Sequence, residues 1–379
     1  MRLVIDFRAA LRERSGVGEY VYELVRALLA LPAVTAPQPD LAVTLFSSSA
    51  RDRLRPDPAL GGARLVDRHI PVRLLNLLWH RLGWPPADSL VGSEIDVSHS
   101  LHPLIMPARR AAHVVTIHDL NFLLHPERTQ AEIRRDYPAL ARAHAHRADR
   151  VVVVSRFTAT QVQTLLGVPA GKISVCSPGA PAWPARAHAP RDGYVLFLGT
   201  LEARKNVGAL LDAYEILIGR RRAVPRLLLA GRATPHANRW LERIARPPLD
   251  AVVTHLGYVD PDTRRELYEG AAVLVQPSFE EGFGIPLLEA MTVGVPVIAA
   301  ATGALPEVGG DAPLFVDPHD PDSIAEALAR TLDDPALAAG MTARGLARAA
   351  SFSWHGCALS TLDAYRAAVG SQTAVRRAS

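Results

Sequence analysis

QPSFEEGFGIPLLEAM, residues 276–291, is the stretch that decides the fold. The run that leads into it, residues 271–276, is short and apolar, which is typical of a buried strand. A Gly-Phe-Gly turn follows, and Pro286 falls where the first helical position is expected. The stretch therefore predicts a strand, a glycine loop and a helix N-terminus. Such an arrangement offers free backbone N–H groups and the positive end of a helix dipole to an anion, most often a phosphate.

Two glutamates, Glu281 and Glu289, flank this glycine turn. Because carboxylates repel a phosphate, their presence is explained most simply if they accept hydrogen bonds from hydroxyl groups. A ligand that carries both phosphates and hydroxyls is a nucleotide or a nucleotide sugar. The alternative is that Glu281 caps the loop and that Glu289 is a solvated acid in the first helical turn. Glu280 is one residue out of register and is expected to be a bystander.

Length and composition indicate two globular domains. A chain of 379 residues is too long for one ordinary core and suits two domains of about 180 residues. Its 49% hydrophobic and 21% charged residues are typical of soluble proteins, and no apolar run reaches the roughly 18 residues of a membrane span. The N-terminus has no signal-peptide pattern, and Cys176 and Cys357 suggest neither a disulfide framework nor a metal site. We therefore expect a cytoplasmic protein with reduced cysteines.

Positive charge collects in the first half of the chain. Residues 1–180 hold 22 basic and 16 acidic residues, whereas the remainder holds 20 and 22. A basic half suits an anionic membrane face or a phosphorylated acceptor, although a solvated arginine-rich surface explains it equally well. Nucleic acid is disfavoured because no recognised binding motif is present and aromatic residues make up only 6%. An amphipathic helix predicted over residues 72–84, with Leu75, Leu78, Trp79 and Leu82 on its apolar side, could touch a membrane, but packing on its own domain is favoured.

Further candidate residues follow predicted strands. The loop after the first strand contains Gly16, and a lone Gly-x-Gly is as consistent with a tight turn as with a ligand. His118 directly follows the strand at residues 113–117, where parallel sheets bind ligands, which favours function over a histidine satisfied by Asp119 or a carbonyl. After the strand at residues 194–198, Arg204 and Lys205 at the mouth of a helix form a plausible diphosphate clamp, or else a solvated pair.

Strands and helices alternate along both halves, which predicts parallel sheets covered on both faces in two Rossmann-like domains. Residues 177–190 are rich in Pro and Ala and are the best linker candidate.

Three segments together resemble the signature of glycosyltransferase family 4, whose members are retaining enzymes of the GT-B fold. They are Gly199 with Arg204-Lys205-Asn206, then Gly257-Tyr258-Val259, then Pro277-Ser278 with Glu281 and Glu289. The loop at residues 199–206 is similar to the phosphate loop of bacterial mannosyltransferases. The resemblance covers nearly the whole chain. It implies an α/β GT-B protein with two Rossmann-like domains whose parallel sheets face each other across a cleft. The implied domains are an acceptor-binding domain (1–180), a nucleotide-sugar-binding domain (181–355) and a C-terminal helix (356–379) packing back toward the first.

The resemblance also implies a role for each matching residue. Glu289 would hold the ribose, Glu281 the transferred sugar, and His118 would lie by the anomeric centre. Arg204 and Lys205 would neutralise the diphosphate, so that no metal ion and no cofactor is needed. The other implied donor contacts are Gly16, Gly199 and Thr200 near the phosphates, Val259 at the base, and the amides of Gly282, Phe283 and Gly284 at the sugar and phosphate.

Some positions depart from the family pattern: Ser15, Glu19, Thr200 and Pro178-Gly179. Ser15, Glu19 and Thr200 keep open the alternative of a non-catalytic nucleotide-sugar-binding subunit. The other alternative is a GT-B enzyme of another reaction such as a nucleotide-sugar epimerase, which fits the Pro-Ser and glutamate pattern poorly. The favoured reading is a hexosyltransferase with GDP-mannose as donor, a UDP-sugar as the second choice, and a glycan or lipid-linked acceptor. Its place would be the cytoplasm, at the inner face of the membrane.

Overall fold

The computed structural model describes residues 1–11, 14, 16–31, 41–49, 52–126 and 131–378, with the backbone alone at 131–136 and 374–378. Backbone contacts divide the chain into two compact units. The first unit comprises Met1–Gly179 and Ser353–Ser379, and the second comprises Ala180–Phe352. Ser15 lies outside the described residues.

Each unit contains one parallel sheet. The strands are β1 (Arg2–Asp6), β2 (Ala42–Ser48), β3 (Arg64–Arg68), β4 (Val97–Ser100), β5 (Ala112–Ile117), β6 (Arg150–Val153), β7 (Ile173–Val175), β8 (Tyr194–Leu198), β9 (Leu227–Ala230), β10 (Val253–Gly257), β11 (Ala271–Gln276), β12 (Val297–Ala300) and β13 (Leu314–Val316). The sheet of the first unit has the order β3-β2-β1-β4-β5-β6-β7, and that of the second β10-β9-β8-β11-β12-β13. The predicted α/β class with two Rossmann-like units is confirmed.

Helices connect most successive strands, and three more follow β13. They are α1 (Val17–Leu29), α2 (Val72–Leu82), α3 (Ala87–Val91), α4 (Asn121–Leu124), α5 (Ala131–Arg147), α6 (Arg156–Leu166), α7 (Val207–Arg220), α8 (Asn238–Ile244), α9 (Pro261–Glu269), α10 (Ile285–Val293), α11 (Leu305–Gly309), α12 (Pro321–Asp333), α13 (Pro335–Ala349) and α14 (Trp354–Ala378). None of the helices in the described part of the chain is both long and apolar enough to cross a membrane.

The direction of chain travel reverses once inside each sheet. From β1 the chain moves outward through β2 and β3, and it then returns to the other side of β1 with β4. The second sheet repeats this course, because β8, β9 and β10 run to one side and β11 lies on the other side of β8. In open parallel sheets, ligands bind beyond the carboxyl ends of the strands at such a switch point. The fold therefore marks two places, β1/β4 in the first unit and β8/β11 in the second.

Helix α14 belongs to the first unit although it follows the second in sequence. It packs against α1 and β5. Its Tyr365 hydroxyl lies 2.7 Å from Nδ1 of His99 in β4, and both residues are fully buried. Cys176 and Cys357 are buried free thiols in the same unit. The core of the first unit thus includes residues from both ends of the described chain.

Two local features differ from the sequence-based predictions. Strand β3 was not predicted. It lies at the sheet edge, and charged residues at both of its ends leave an apolar run of only two residues, Leu65 and Val66, which is shorter than the runs of the central strands. In α2, Leu75 and Trp79 are buried as predicted, but the expectation that Leu82 belongs to the buried side is wrong, since 70% of it is exposed. The helix ends at Leu82 because Gly83 adopts a left-handed conformation that terminates it.

Candidate active site

The loops that follow β8 and β11 are tied together at the switch point of the second unit. Buried Asn206, at the start of α7, donates hydrogen bonds from Nδ2 to the carbonyls of Pro277 (3.0 Å) and Pro318 (2.7 Å). Its φ of 58° is a left-handed conformation that asparagine tolerates better than most residues. Two further hydrogen bonds join Arg204 to the second loop, from the amide of Phe279 (2.9 Å) and to the carbonyl of Glu280 (3.0 Å). Arg204 and Lys205 are therefore fixed beside residues 277–281.

The carboxylate of Glu281 is the centre of this cluster. Its Oε1 accepts hydrogen bonds from Lys205 Nζ (2.5 Å), Ser278 Oγ (2.7 Å) and Gln276 Nε2 (3.0 Å). Its Oε2 accepts one from Arg204 Nη1 at 2.9 Å. The residue is only 5% exposed. The structure brings the predicted residues Arg204, Lys205 and Glu281 together, since both cations contact the Glu281 carboxylate.

Glu281 is ionised at neutral pH. Burial by itself raises the pKa of this carboxyl, but the charges of Lys205 and Arg204 and the hydrogen bonds from Lys205 and Ser278 lower it to about 2. A carboxylate in this state accepts hydrogen bonds and donates none. The cluster can therefore receive hydroxyl groups at Glu281 and negative charge at the two cations.

Gly284 opens helix α10 with a φ of 105°, in the region that favours glycine, and a Cβ there would lie 2.7 Å from Leu305 Cδ2. Pro286 is the second helical residue rather than the first. The turn formed by Gly282, Phe283 and Gly284 is buried, and the Phe283 ring packs edge-on against Phe352 with 5.8 Å between ring centroids. Only the backbone of this turn is thus suited to a ligand contact.

Glu289 lies on the fifth residue of α10 and is buried, so the alternative of a solvated first-turn acid is wrong. Its Oε2 accepts a hydrogen bond from Tyr268 Oη at 2.9 Å, and its Oε1 lies 3.3 Å from Arg264 Nη2. Both partners lie on α9. Sequence reasoning missed them, because only the packing of α9 on α10 brings them to the carboxylate.

The remaining predicted donor contacts lie at strand ends in the second unit. Gly199 and Thr200 directly follow β8, and half-buried Val259 follows β10. Gly231, which was not predicted as a site residue, allows the loop after β8 to pass close to it. A Cβ at position 231 would lie 2.0 Å from the carbonyl oxygen of Gly199. A side chain at residue 231 would therefore displace the loop after β8. The position of Gly231 directly after β9 is the sequence signal that could have revealed it.

His118 and Gly16 belong to the first unit. Half-buried His118 directly follows β5, and its Nε2 donates to the carbonyl of Leu101 at 3.2 Å, as the alternative reading of a carbonyl-bound histidine expects. Its ring meets that of Tyr20 edge-on at 4.9 Å. Burial lowers its pKa to about 4, although Leu101 and Asp119 oppose this, so the imidazole is neutral at pH 7. Gly16 is exposed and precedes α1 with a φ of 53°.

Comparison with known proteins assigns the chain to a family. Residues 14–182 match Glycosyltransferase Family 4, and residues 192–334 match Glycosyl transferases group 1. O-antigen chain mannosyltransferase B of Escherichia coli is 34% identical over 273 residues, which cover 69% of this chain and 72% of that protein. The chain belongs to glycosyltransferase family 4. The resemblance inferred from the sequence motifs is thereby confirmed, and so is the class of enzyme.

Other relatives of this family 4 glycosyltransferase are covered less completely. D-inositol 3-phosphate glycosyltransferase of Streptomyces griseus subsp. griseus is 34% identical over 206 residues, which are 50% of this chain and 43% of that protein. The serotype-specific mannosyltransferase WbdA of Escherichia coli is 28% identical over 71% of this chain and 33% of its own length. The chain thus spans less than half the length of these two relatives.

Solved structures confirm the GT-B fold. Sucrose-phosphate synthase from Thermosynechococcus elongatus has a TM-score of 0.77 at 22% identity, over 96% of this chain and 98% of that one. WaaG, a glycosyltransferase involved in lipopolysaccharide biosynthesis, has a TM-score of 0.70 at 15% identity over the same share of both chains. Anabaena HepE in complex with UDP and glucose has a TM-score of 0.67 at 16% identity, over 96% and 98%. At these identities the likeness concerns the fold of the family 4 chain alone.

The ionised state of Glu281 predicts a pH-dependent contribution to stability. Its folded pKa of about 2 lies below the ordinary value of 4.5, so its contribution is fully present above pH 4.5 and is lost as the pH falls toward 2. We expect the difference in unfolding free energy between wild type and Glu281→Gln, on the order of 3 kcal/mol at neutral pH, to shrink over that range. Urea unfolding at a series of pH values measures it.

The matched control is Glu242→Gln, which replaces an exposed glutamate on α8. Its unfolding free energy should follow the wild-type pH profile. Parallel profiles for wild type and Glu281→Gln would contradict the assignment of an ionised, cation-bound Glu281.

Proposed function

We propose that this chain is a retaining, metal-independent glycosyltransferase that moves a hexose, with mannose favoured, from a nucleotide-sugar donor to a hydroxyl of a glycan, glycolipid or other acceptor. The observation that carries the proposal is the position of Glu281, an ionised carboxylate held between Lys205 and Arg204 at the β8/β11 switch point. The site combines an acceptor for sugar hydroxyls with two cations for a diphosphate, and a nucleotide sugar carries both groups.

Lys205 and Arg204 would bind the diphosphate of the donor. The Lys205 ammonium carries three N–H donors, of which the described residues engage one, at Glu281. Arg204 presents a planar set of donors suited to phosphate oxygens. As the bond to the sugar breaks, negative charge grows on the leaving diphosphate, and cations already in place stabilise it without reorganisation. These two side chains supply the positive charge that a metal ion provides in other enzymes, which is the basis for proposing metal independence.

Glu281 would orient the transferred sugar through Oε2. This oxygen accepts a single hydrogen bond, from Arg204, whereas Oε1 accepts three within the described chain. A carboxylate oxygen has about two lone-pair sites, so Oε2 retains room for a sugar hydroxyl. The many donors on Oε1 hold the carboxylate in one orientation, which favours a defined position of the sugar ring.

The other donor contacts rest on the family resemblance. Glu289 would accept hydrogen bonds from the ribose, with Tyr268 holding its carboxylate. The amides of Gly282, Phe283 and Gly284 would reach the sugar and phosphate, Gly199 and Thr200 the diphosphate, and Val259 the base. From the first unit, Gly16 would approach the diphosphate, and His118, a neutral imidazole, would touch the sugar near its anomeric carbon. Retention would follow from substitution on the face that the diphosphate leaves.

The choice of mannose is supported by the relatives named mannosyltransferases, and GDP-mannose is accordingly the favoured donor. HepE is seen with UDP and glucose, which keeps a UDP-sugar as the second candidate. The acceptor would be a glycan or lipid-linked sugar, and the surplus of basic residues in the first half of the chain suits a cytoplasmic enzyme at the inner membrane face.

Replacement of Glu281 should abolish transfer while the fold survives. With a donor identified by thermal-shift screening of nucleotide sugars, we expect Glu281→Ala to lower kcat/KM by about 100-fold or more, because the sugar loses its hydrogen-bond acceptor. Release of nucleoside diphosphate measures the rate, and circular dichroism monitors the fold. Glu281→Gln keeps the side-chain volume in case the alanine variant unfolds, and Glu242→Gln is the surface control. Wild-type activity in a folded Glu281 variant would contradict the proposed role.

Transfer should continue in excess chelator. Because Lys205 and Arg204 neutralise the negative charge of the leaving diphosphate in this proposal, EDTA should leave kcat within about twofold of its untreated value. The measurement is the initial rate before and after dialysis against the chelator. Complete loss of activity that a divalent ion restores would show that the two cations do not suffice.

The product should keep the anomeric configuration of the donor. We expect an α-linked product from an α-linked nucleotide sugar, because substitution occurs on the face from which the diphosphate departs. Proton NMR of the product, taken before anomeric equilibration of any free sugar, distinguishes the two configurations. An inverted linkage would rule out the retaining mechanism while leaving the donor site untouched.

A further inference from the structure

The switch point of the first unit holds a cavity of about 310 Å³, here called the β1/β4 cavity. Asp6 ends β1, and Leu101 and His102 directly follow β4, so the cavity lies beyond the carboxyl ends of both strands. Asn76 of α2 closes another side. The position is the one where open parallel sheets bind ligands, and the donor contacts proposed above make no use of the residues named here.

The β1/β4 cavity is built around a rigid ion pair. Asp6 is buried, and its two oxygens accept hydrogen bonds from Nε (2.8 Å) and Nη2 (2.6 Å) of Arg8. The third nitrogen of Arg8, Nη1, donates to Asn76 Oδ1 at 2.9 Å. The guanidinium also lies over the Trp79 ring at 5.0 Å from its centre. These contacts hold Arg8 and Asn76 in one arrangement before any ligand arrives.

His102 completes the network through both of its ring nitrogens. Its Nδ1 accepts a hydrogen bond from the Leu104 amide at 3.2 Å, so the ring proton lies on Nε2, which donates to Asp6 Oδ2 at 3.2 Å. Because its lone pair is engaged by a backbone amide, His102 is not placed to take a proton from a hydroxyl. The network therefore suits binding rather than proton transfer.

Several N–H donors remain for a ligand. Within the described part of the chain, the Nδ2 group of Asn76 donates no hydrogen bond, and Arg8 uses three of its five N–H groups. The charge of Arg8 is balanced by Asp6, and Asp52 adds a second carboxylate to the lining. The described lining thus carries two carboxylates against one guanidinium, which opposes an anionic ligand and permits a neutral one rich in hydroxyls.

We propose that the β1/β4 cavity binds one uncharged sugar ring of the acceptor. The volume is at the lower end of small-molecule sites, roughly 300–1,000 Å³, and suits a single ring. Apolar side chains, Val17, Val72 and Leu101, line the same space and suit the C–H face of a sugar. The assignment of the ring to the acceptor rests on the proposed glycosyltransferase function, whereas the preference for an uncharged sugar rests on the cavity alone.

Binding of simple glycosides to the full chain tests the proposal. The probes are the methyl α-glycosides of mannose, glucose and galactose, each compared with methyl glucuronide and the 6-phosphate of methyl α-mannoside. Saturation-transfer NMR titrations should give binding of at least one uncharged glycoside below about 50 mM, tighter than either charged probe. Asn76→Ala and Asn76→Asp should each weaken it by about fivefold to tenfold, because both remove the Nδ2 donor. Asn238→Ala, an exposed asparagine of the second unit, is the matched control.

The outcomes separate this proposal from that of the donor site. Binding that is lost in Glu281→Gln but retained in both Asn76 variants would place the glycoside in the donor site and overturn the proposal. Absence of glycoside binding, tighter binding of a charged probe, or equal effects of Asn76→Ala and Asn238→Ala would overturn it as well. If binding depends on Asn76 while no nucleotide sugar is turned over, the proposed transferase function fails and the sugar-binding cavity stands. With an active donor, the Asn76 variants should raise the acceptor KM and leave the donor KM unchanged.

Discussion

The contact between Glu281 and the two cations Lys205 and Arg204 is the interaction on which the site of the second unit depends. It links the loop after β8 to the loop after β11. Asn206 contributes further hydrogen bonds, to the carbonyls of Pro277 and Pro318. Removing one member of such a buried pair leaves a charge without compensation, at a cost of about 3–5 kcal/mol. The same groups thus stabilise the site and give it its chemistry.

Much of the architecture could be predicted from the sequence because parallel strands covered on both faces appear as short apolar runs. Strand β3 could not, since an edge strand carries charged residues that disguise its pattern. In the site, Arg204, Lys205, Glu281 and Glu289 stand in recognisable spacings. Tyr268 and Arg264 do not, because only the packing of α9 on α10 brings them to Glu289.

Both units place polar residues at the switch point of their sheet, but only those of the second unit can be recognised in the sequence. At β8/β11 the contacting residues Arg204, Lys205 and Glu281 come from two segments that lie close to glycine-containing motifs, so the sequence could reveal them. At β1/β4 the network joins Asp6 and Arg8 to Asn76 and His102, residues separated by as many as 96 positions. No local sequence pattern predicts that these four residues are in contact, and the prediction requires the strand order. The strand order therefore brings together polar residues that no sequence motif connects.

The discontinuity of the first unit has a consequence for biosynthesis. Residues 353–379 complete that unit, and the His99–Tyr365 contact joins β4 to α14 across 266 positions of the chain. A ribosome makes all of residues 180–352 before it makes Tyr365. Domains commonly fold as they emerge from the ribosome, so the second unit can mature while the first still exposes the surface that α14 covers. The second unit can therefore complete its folding before the first unit does. The first unit forms the buried contacts of α14 only after residues 353–379 have been made.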